Sequence, residues 1–337
     1  MAEWLCSGLQ SRLRRFDSGF SLHILKIMKK KEFQDLKGNV HKGAILSSKN
    51  DASVIACEYC EFNHVIPIPD ASFLEDYYQN EYLGKRASDD FFQKMESEFK
   101  WNEIFHNEKY DVVEDILDHR ARTVLDIGSG LGCFLNVGKK RGWDCIGIEP
   151  SKDSAKYARK NFKLNISEIF LSSETADQIS KHDFIHSQEV IEHLSDPFEM
   201  LNIIHALLKP KGIVCISCPN DFNPLQKIAN NLVENKDWWV APPEHLNYFS
   251  IDSLSNLLSK CGFEVFHKTS TFPLELFILM GDNYIGNDNI GSIIHKKRMI
   301  LEENLLNHNQ ENLRRELYQS LSSLNLGREI AVFARKK

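Results

Sequence analysis

The chain has 337 residues, of which 42% are hydrophobic, and its 41 Lys and Arg residues face 47 Asp and Glu residues, for a formal net charge of -6. This length and apolar content allow a substantial buried core, built as one large domain with an appendage or as two domains. The acidic balance lacks the basic excess of a general nucleic-acid binder. The cysteines follow no secreted disulfide framework, and Cys133, Cys145, Cys215 and Cys218 lie in or beside apolar runs, so we expect a cytoplasmic protein. No segment shows a signal-peptide pattern or the roughly 20 apolar residues of a membrane span.

The chain divides into three parts by its pattern. Residues 1–45 are polar and weakly patterned, and we predict a poorly ordered lead with one short helix from Phe20 to Phe33. Residues 46–90 change to a short strand, a Cys-x-x-Cys turn and a second apolar stretch, which predicts a small N-terminal module. Residues 91–337 form the main domain, which begins with helical apolar spacing from Phe91 to Asp118.

After Arg122 the chain alternates short β-branched runs with helical stretches, which predicts an α/β fold with a Rossmann-like parallel sheet and crossover helices. A helical insertion is predicted at residues 273–326, where leucines indicate packing or a dimer contact. The predicted helices are Phe134 to Arg141, Ser154 to Asn161, Pro197 to Leu208, and Ile251 to Lys260 ended by Gly262. The predicted strands are Thr123 to Ile127, Cys145 to Ile148, Ile166 to Phe170, Phe184 to Ser187, Ile213 to Ser217, Phe263 to His267 and Ile330 to Ala334.

The strongest local signal is the segment Val124 to Gly132, an apolar strand that runs directly into three glycines and opens a helix. Backbone at such a turn approaches a ligand closely, and the helix N-terminus offers free N–H groups, which suits a dinucleotide or S-adenosylmethionine. The dinucleotide fingerprint has a glycine where Cys133 stands. Asp126 would repel a pyrophosphate and attract the ammonium and sulfonium of S-adenosylmethionine, so the turn favours the latter ligand.

An acidic residue follows the turn at the end of the second strand. Glu149 lies about 20 positions further on, where an acidic side chain accepts the ribose hydroxyls of an adenosine cofactor. The alternative is a turn that only connects strand to helix, followed by a solvated carboxylate. The combination of glycine turn and acid favours the cofactor site.

These segments resemble the class I S-adenosylmethionine-dependent methyltransferases, especially the group of ubiquinone-biosynthesis O-methyltransferases and of sugar and natural-product methyltransferases. The resemblance covers about Tyr110 to Phe266 and returns at Gly327 to Arg335. The segments that carry it are Val124 to Gly132, Ile148 to Ser151, Asp183 to Pro197, Leu207 to Gly212 and Cys218 to Asn220.

The resemblance implies a seven-stranded sheet whose last strand is antiparallel, with S-adenosyl-L-methionine as the cofactor. By analogy Asp126 and Gly128 hold the methionine part, Glu149 binds the ribose, and the segment from Ser172 to Glu174 borders the adenine. Residues after the fourth strand line the reacting end. The predicted cofactor-binding residues are Asp126, Gly128, Ser129, Gly130, Gly132, Glu149, Pro150, Gln188 and Glu189.

The Cys57-x-x-Cys60 turn has the spacing of a zinc knuckle and resembles the second half of the N-terminal zinc module of some sugar and C-methyltransferases. That module has two cysteine pairs, and structural zinc takes four ligands. No upstream cysteine pair exists here, which leaves His41 and His64 as the candidate partners. We therefore expect a degenerate, metal-free module and assign no metal-binding residue.

Methyl transfer to a hydroxyl needs a base, and a histidine is the usual group. His193 follows the fourth strand, and His245 lies in the aromatic segment Trp238 to Phe249, after the fifth strand. Each histidine could instead hold a loop through a hydrogen bond. We favour His245 as the catalytic base, with His193 as its alternative, because long aromatic loops cover substrates.

We therefore predict a methyltransferase that acts on a small-molecule acceptor, with O-methylation of a sugar, lipid-linked or natural-product substrate favoured and a homodimer as the expected assembly. One alternative is an RNA or DNA methyltransferase, which is disfavoured because Ser187 to Val190 stands where an Asn-Pro-Pro-Tyr-like motif would follow the fourth strand. The other is a noncatalytic cofactor-binding scaffold. The intact glycine turn and Glu149 disfavour that alternative.

Overall fold

The computed structural model describes residues 29–49, 51–70, 73–74, 77, 89–117 and 122–337. Its strands form a five-stranded and a seven-stranded sheet. The elements in chain order are β1 (Lys30–Gln34), β2 (Val40–Lys49), β3 (Ala52–Cys57), β4 (Asn63–Ile66), α1 (Asp89–Glu114), β5 (Thr123–Ile127), α2 (Cys133–Lys140), β6 (Asp144–Ile148), α3 (Lys152–Phe162), β7 (Asn165–Ser167), α4 (Ser173–Ala176), β8 (His182–Gln188), a 3-10 turn (Ile191–His193), α5 (Pro197–Leu207), β9 (Leu208–Pro219), α6 (Pro224–Ala229), β10 (Asn247–Tyr248), α7 (Ile251–Lys260), β11 (Phe263–Ser270), α8 (Glu275–Leu279), α9 (Asp288–Asn307), α10 (Glu311–Ser323) and β12 (Glu329–Lys336).

The large sheet has the strand order β11-β12-β9-β8-β5-β6-β7. Strands β5 to β9 pair in parallel, whereas β12 lies between β9 and β11 and is antiparallel to both. This confirms the predicted Rossmann-like sheet with an antiparallel last strand. Only β7 is clearly shorter than predicted, since it ends at Ser167 and Phe170 is exposed. It is an edge strand that pairs with β6 alone, so half of its backbone lacks a partner strand.

Helices cover both faces of this sheet, and the side chains of β5 show how the faces divide. Val124 packs in the cluster beneath α1 and α2, and the next residue, Leu125, packs in the cluster beneath α5 and α7. Successive residues of a strand point to opposite faces, so Asp126 shares the face of Val124. The first functional carboxylate therefore lies beneath α1.

Helix α7 shows how local sequence sets an element's bounds. Ser250 precedes it and its hydroxyl accepts from the backbone N–H of Ser253, which satisfies a free donor of the first turn. After Lys260, Gly262 has a φ of 86°, a conformation that glycine adopts at helix ends without strain. The predicted bounds, Ile251 to Lys260, are confirmed.

The N-terminal sheet has the order β1-β2-β3-β4-β10, so its last strand comes from the main domain. Asn247 of β10 lies opposite His64 of β4, and the rings of Phe62 and Phe249 pack at a tilt with 4.9 Å between their centroids. Strands β1 and β2 contradict the poorly ordered lead over residues 30–45 and the helix predicted to reach Phe33. The side chains of β1 are mostly exposed, so the alternating pattern of a strand is missing from its sequence. Residues 1–28, where the rest of that prediction falls, lie outside the described residues.

The inserted stretch at residues 273–326 contains α8, α9 and α10. Helices α9 and α10 contact α1 through buried polar groups, since Trp101 Nε1 and Tyr318 Oη both donate to the carboxylate of Glu302, each at 2.5 Å. Arg314 Nη2 lies 2.8 Å from Glu108 Oε2 of α1. Helices α9 and α10 of the insertion therefore pack beside α1.

Among the helices of the described ranges, none combines the length and apolar content of a membrane span.

Candidate functional site

The three glycines after β5 have φ angles of 74°, 52° and 81°, in the left-handed region that favours glycine. A Cβ on Gly128 would lie 2.5 Å from Val190 Cγ2, so this position admits no side chain without movement. A Cβ on Gly130 would meet no atom of the described residues within 4 Å. The turn is thus closed on one side and open on the other, where a ligand can approach the backbone.

The carboxylate of Glu149 is hydrogen-bonded to the backbone at the glycine turn. Its Oε2 accepts from the backbone N–H of Gly130 at 2.7 Å, and its Oε1 accepts from that of Ser151 at 2.8 Å. Ser129 Oγ is buried in the turn and has no hydrogen-bond partner within the described residues. A buried hydroxyl of this kind is normally satisfied. The open glycine and the unsatisfied hydroxyl fit a polar ligand, as the predicted cofactor requires.

A cavity of about 370 Å³ lies beside this turn, within the size range of small-molecule sites. Its walls come from the turn, from the ends of β8 and β12, and from α1, α9 and α10. Of the predicted cofactor residues, those that line it are Asp126, Gly128, Ser129, Gly130, Gln188 and Glu189.

The other predicted cofactor residues lie outside the described lining of this cavity. Glu149 is 7% exposed and acts through the turn, and Pro150 follows it. A Cβ on Gly132 would lie 2.6 Å from Leu164 Cδ1, so this glycine serves the packing of α2 on the core. Ser172 caps α4 by accepting from the backbone N–H of Thr175 at 3.3 Å. Its segment, predicted to border the adenine, does not contact the cavity.

Asp126 belongs to a series of hydrogen-bonded polar groups on the cavity wall. Lys109 Nζ lies 3.0 Å from His186 Nε2, and His186 Nδ1 lies 2.7 Å from Asp126 Oδ1. Because Lys109 only donates, Nε2 must accept, so Nδ1 carries the proton and donates to Asp126. Lys109 also donates to Gln188 Oε1 at 2.7 Å, and Phe134 stacks on the imidazole at 3.8 Å between centroids.

Burial determines the protonation states of the groups in this hydrogen-bonded series. It raises the pKa of Asp126 well above the usual value, while the charge of Lys109 acts in the opposite direction. Burial, assisted by Lys109, lowers the pKa of His186 well below its usual value, so its imidazole stays neutral. Both of its ring nitrogens are engaged, and His186 therefore positions Asp126 and is not free to take a proton.

The predicted catalytic histidines lie together at the carboxyl end of β8, with 5.0 Å between their ring centroids. Neither His193 nor His245 belongs to the described lining of the cavity. His193 Nδ1 lies 2.6 Å from the carbonyl oxygen of Glu244, so Nδ1 donates and Nε2 carries the lone pair. Glu192 is buried beside them, and burial raises the pKa of its carboxyl group well above the usual value. Asn247 fixes this segment by donating to the carbonyl oxygen of Leu194 at 2.7 Å.

Several cavity residues were missed in the sequence because they come from helices whose patterns indicate packing. Lys109 and His106 belong to α1, and burial lowers the pKa of His106 to about 3. His295 Nε2 of α9 lies 3.1 Å from Glu98 Oε1 of α1, which links the two helices above the cavity. The sequence offered one signal of this polar cluster: His186 is a polar residue inside an apolar strand.

Comparison with known proteins agrees with this geometry. A family profile described as "Methyltransferase domain" matches residues 93–268, more than half of the chain. The chain is 31% identical over 109 residues to a ubiquinone biosynthesis O-methyltransferase of Actinobacillus pleuropneumoniae, covering 30% of this chain and 47% of that protein. It is 25% identical over 145 residues to the C-methyltransferase NovU of Streptomyces niveus, covering 42% and 33%. The chain thus spans about half or less of these relatives' lengths.

Solved structures give a weaker likeness over more of the chain. The magnesium protoporphyrin IX methyltransferase of Synechocystis, solved with bound S-adenosylhomocysteine, is 12% identical with a TM-score of 0.47, covering 80% of this chain and 100% of that chain. A methyltransferase from Archaeoglobus fulgidus is 21% identical with a TM-score of 0.40, covering 79% and 100%.

Proposed function

The chain belongs to the class I S-adenosylmethionine-dependent methyltransferases, and on this premise we propose that it methylates a hydroxyl group of a small molecule. The observation that carries the proposal is the cavity beside the glycine turn, which α1, α9 and α10 enclose. A single-stranded or duplex nucleic acid needs an open, basic surface beside the cofactor, whereas residues of α1, α9 and α10 line this cavity. The cofactor supplies a methyl group already activated by a sulfonium, so the chain's task is alignment and exclusion of water.

The cavity lining supports a polar acceptor. Lys109, Arg298 and Arg315 contribute cationic groups, and Glu98 and Glu108 contribute carboxylates. The names of the relatives from Actinobacillus pleuropneumoniae and Streptomyces niveus refer to O-methylation and to C-methylation, respectively. We extend the first chemistry to this chain and propose a sugar, lipid-linked or natural-product hydroxyl as the acceptor.

For the base, we propose His245, with His193 as the alternative. The two imidazoles lie after Gln188 and Glu189, which line the cavity, and at the carboxyl edge where ligands sit in open α/β sheets. A neutral histidine takes a proton near neutral pH, as a hydroxyl acceptor requires. His186 is unsuited to this role because both of its ring nitrogens are hydrogen-bonded.

The predicted homodimer stays a prediction, which sedimentation of the full chain would test.

The experiment incubates the full chain with S-adenosylmethionine and separate acceptor pools: hydroxylated quinone precursors, nucleotide sugars, polyketide phenols, and total RNA. Mass spectrometry follows S-adenosylhomocysteine and the gain of one methyl group. The control is Gly128→Val, which closes the turn because even a Cβ there would lie 2.5 Å from Val190 Cγ2. We expect methylation of a small hydroxyl compound by the wild type only. Methylation confined to RNA, or cofactor binding without turnover of any pool, would contradict the proposal.

A further inference from the structure

Four side chains of the N-terminal sheet converge on one point that the proposed function does not use. His41 of β2, Cys57 and Cys60 of the turn after β3, and His64 of β4 each offer one nitrogen or sulfur, and these four atoms lie within 4.8 Å of one another. All four residues are between 2% and 6% exposed, and both cysteines are free thiols. Two imidazoles and two thiols form the ligand set of many structural zinc sites.

The distances match a tetrahedral site. His41 Nδ1 lies 3.1 Å from His64 Nε2, 3.4 Å from Cys60 Sγ and 3.8 Å from Cys57 Sγ. A zinc ion with Zn–S bonds of about 2.3 Å and Zn–N bonds of about 2.0 Å holds its ligand atoms roughly 3.3 to 3.8 Å apart. The cluster therefore already has nearly the spacing that the ion imposes.

The outer hydrogen bonds of the two histidines orient their lone pairs toward the cluster. His64 Nδ1 lies 2.9 Å from the carbonyl oxygen of Val65, so Nδ1 donates and Nε2 carries the lone pair. His41 Nε2 lies 3.3 Å from Asp35 Oδ2, which likewise leaves the lone pair on Nδ1. A carboxylate or carbonyl behind each imidazole is the usual support of metal-bound histidines. Two lone pairs 3.1 Å apart repel each other unless a cation lies between them.

We propose that His41, Cys57, Cys60 and His64 bind one zinc ion as a structural site. Binding replaces the two thiol protons, which leave to solvent, and the two thiolates neutralise the charge of the ion. The buried site then carries no net charge. All four coordination positions come from the chain, so no position is open for a substrate. The proposal replaces the expectation from the sequence that this module is metal-free.

The site is connected to the segment that carries the proposed base. His64 lies opposite Asn247 of β10, and the N–H of Val65 donates to the carbonyl oxygen of Leu246 at 2.8 Å. Asn247 in turn donates to the carbonyl oxygens of Ile191, the first residue of the 3-10 turn, and of Leu194, which follows the turn. Zinc would therefore brace β4 and, through β10, the loop that ends in His245.

The test measures zinc in the full chain, purified without a metal-binding tag and without added metal. We expect about one zinc per chain and its loss in Cys60→Ser. Cys261→Ser is the matched control, because Cys261 is buried in the same core cluster but lies outside the four-residue group. Equal zinc in the wild type and Cys60→Ser, or equal loss in both variants, would refute the site.

Three further measurements keep the proposal testable if Cys60→Ser does not fold. The wild type loaded with Co²⁺ should show the visible bands of tetrahedral cobalt and a thiolate-to-metal charge-transfer band; their absence would refute the site. Asp35→Asn leaves all four ligands in place and should weaken zinc affinity about 10- to 100-fold, measured by transfer to a chelator. Removing zinc from the wild type should accelerate hydrogen exchange in both β4 and β10. Unchanged exchange in β10 would refute the bracing role.

Discussion

Lys109 of α1 and His186 of β8, separated by 77 residues in the sequence, are in hydrogen-bond contact, with 3.0 Å between Nζ and Nε2. This contact fixes the imidazole tautomer, and the tautomer determines that Asp126 accepts a hydrogen bond. The carboxylate that opens the glycine turn is therefore positioned by α1.

Replacing Lys109 tests this arrangement. Lys109→Met leaves Nε2 of His186 as a buried acceptor without a partner, which should reduce the free energy of unfolding by about 1 to 3 kcal/mol. Lys109→Arg keeps a donor and should lose less. Denaturant unfolding of the two variants provides the measurement, and equal losses would show that the contact with His186 is not the cause.

Glu149 should control cofactor affinity through the turn. In Glu149→Gln, the amide group has one acceptor oxygen, so it cannot serve the N–H groups of both Gly130 and Ser151. Binding of S-adenosylhomocysteine, measured by calorimetry, should weaken by about 1 to 3 kcal/mol. Glu264→Gln, an exposed change on β11, is the control. Unchanged affinity in Glu149→Gln would remove this residue from the site.

The glycines of the turn should differ in their tolerance of a side chain. Gly130→Ala should cost about 1 to 2 kcal/mol, the backbone penalty of a left-handed alanine, because its Cβ meets open space. Gly128→Ala carries the same penalty and adds about 1 to 3 kcal/mol of overpacking against Val190. Adding Val190→Ala to Gly128→Ala should recover part of that loss in thermal unfolding. Equal destabilisation by the two glycine variants would exclude the contact.

Glu192 should make the protein less stable as pH rises. Burial raises the pKa of its carboxyl group above the usual value of 4.5, so above pH 4.5 the unfolded chain ionises while the folded chain keeps the proton. Stability is lost as pH rises toward the folded pKa, by about 1.4 kcal/mol for each unit of the shift. Glu192→Gln cannot ionise and should be more stable than the wild type at neutral pH, with little difference below pH 4.5. The exposed Glu199→Gln is the control. A less stable Glu192→Gln protein at pH 7 would instead indicate a bound, ionised carboxylate.

The proposed base can be tested on any acceptor found. His245→Gln should retain cofactor binding and lower turnover by roughly 10² to 10⁴-fold, the range for loss of a general base. His193→Gln makes the same chemical change in the neighbouring imidazole, and the exposed His308→Gln serves as the control. Loss only in His193→Gln would transfer the role to that residue. Full activity in both would indicate that alignment alone supports transfer.

The sequence by itself determined the features that depend on residues close together along the chain. Alternating and helical apolar spacing predicted the strands of the large sheet, and the glycine turn with Glu149 predicted S-adenosylmethionine as the cofactor, which the family match supports. These patterns are readable because each residue's backbone conformation and burial repeat along its own element.

Only the tertiary structure decided which distant side chains meet. Lys109 contacts His186, His41 joins Cys57, and β10 completes the N-terminal sheet, all through packing between elements far apart in the chain. The helices of residues 273–326, expected to serve packing, also help to enclose the cavity, whereas the two predicted histidines lie outside its described lining. Periodicity shows which face of an element is buried, but the partner of that face depends on how all elements fill the same core.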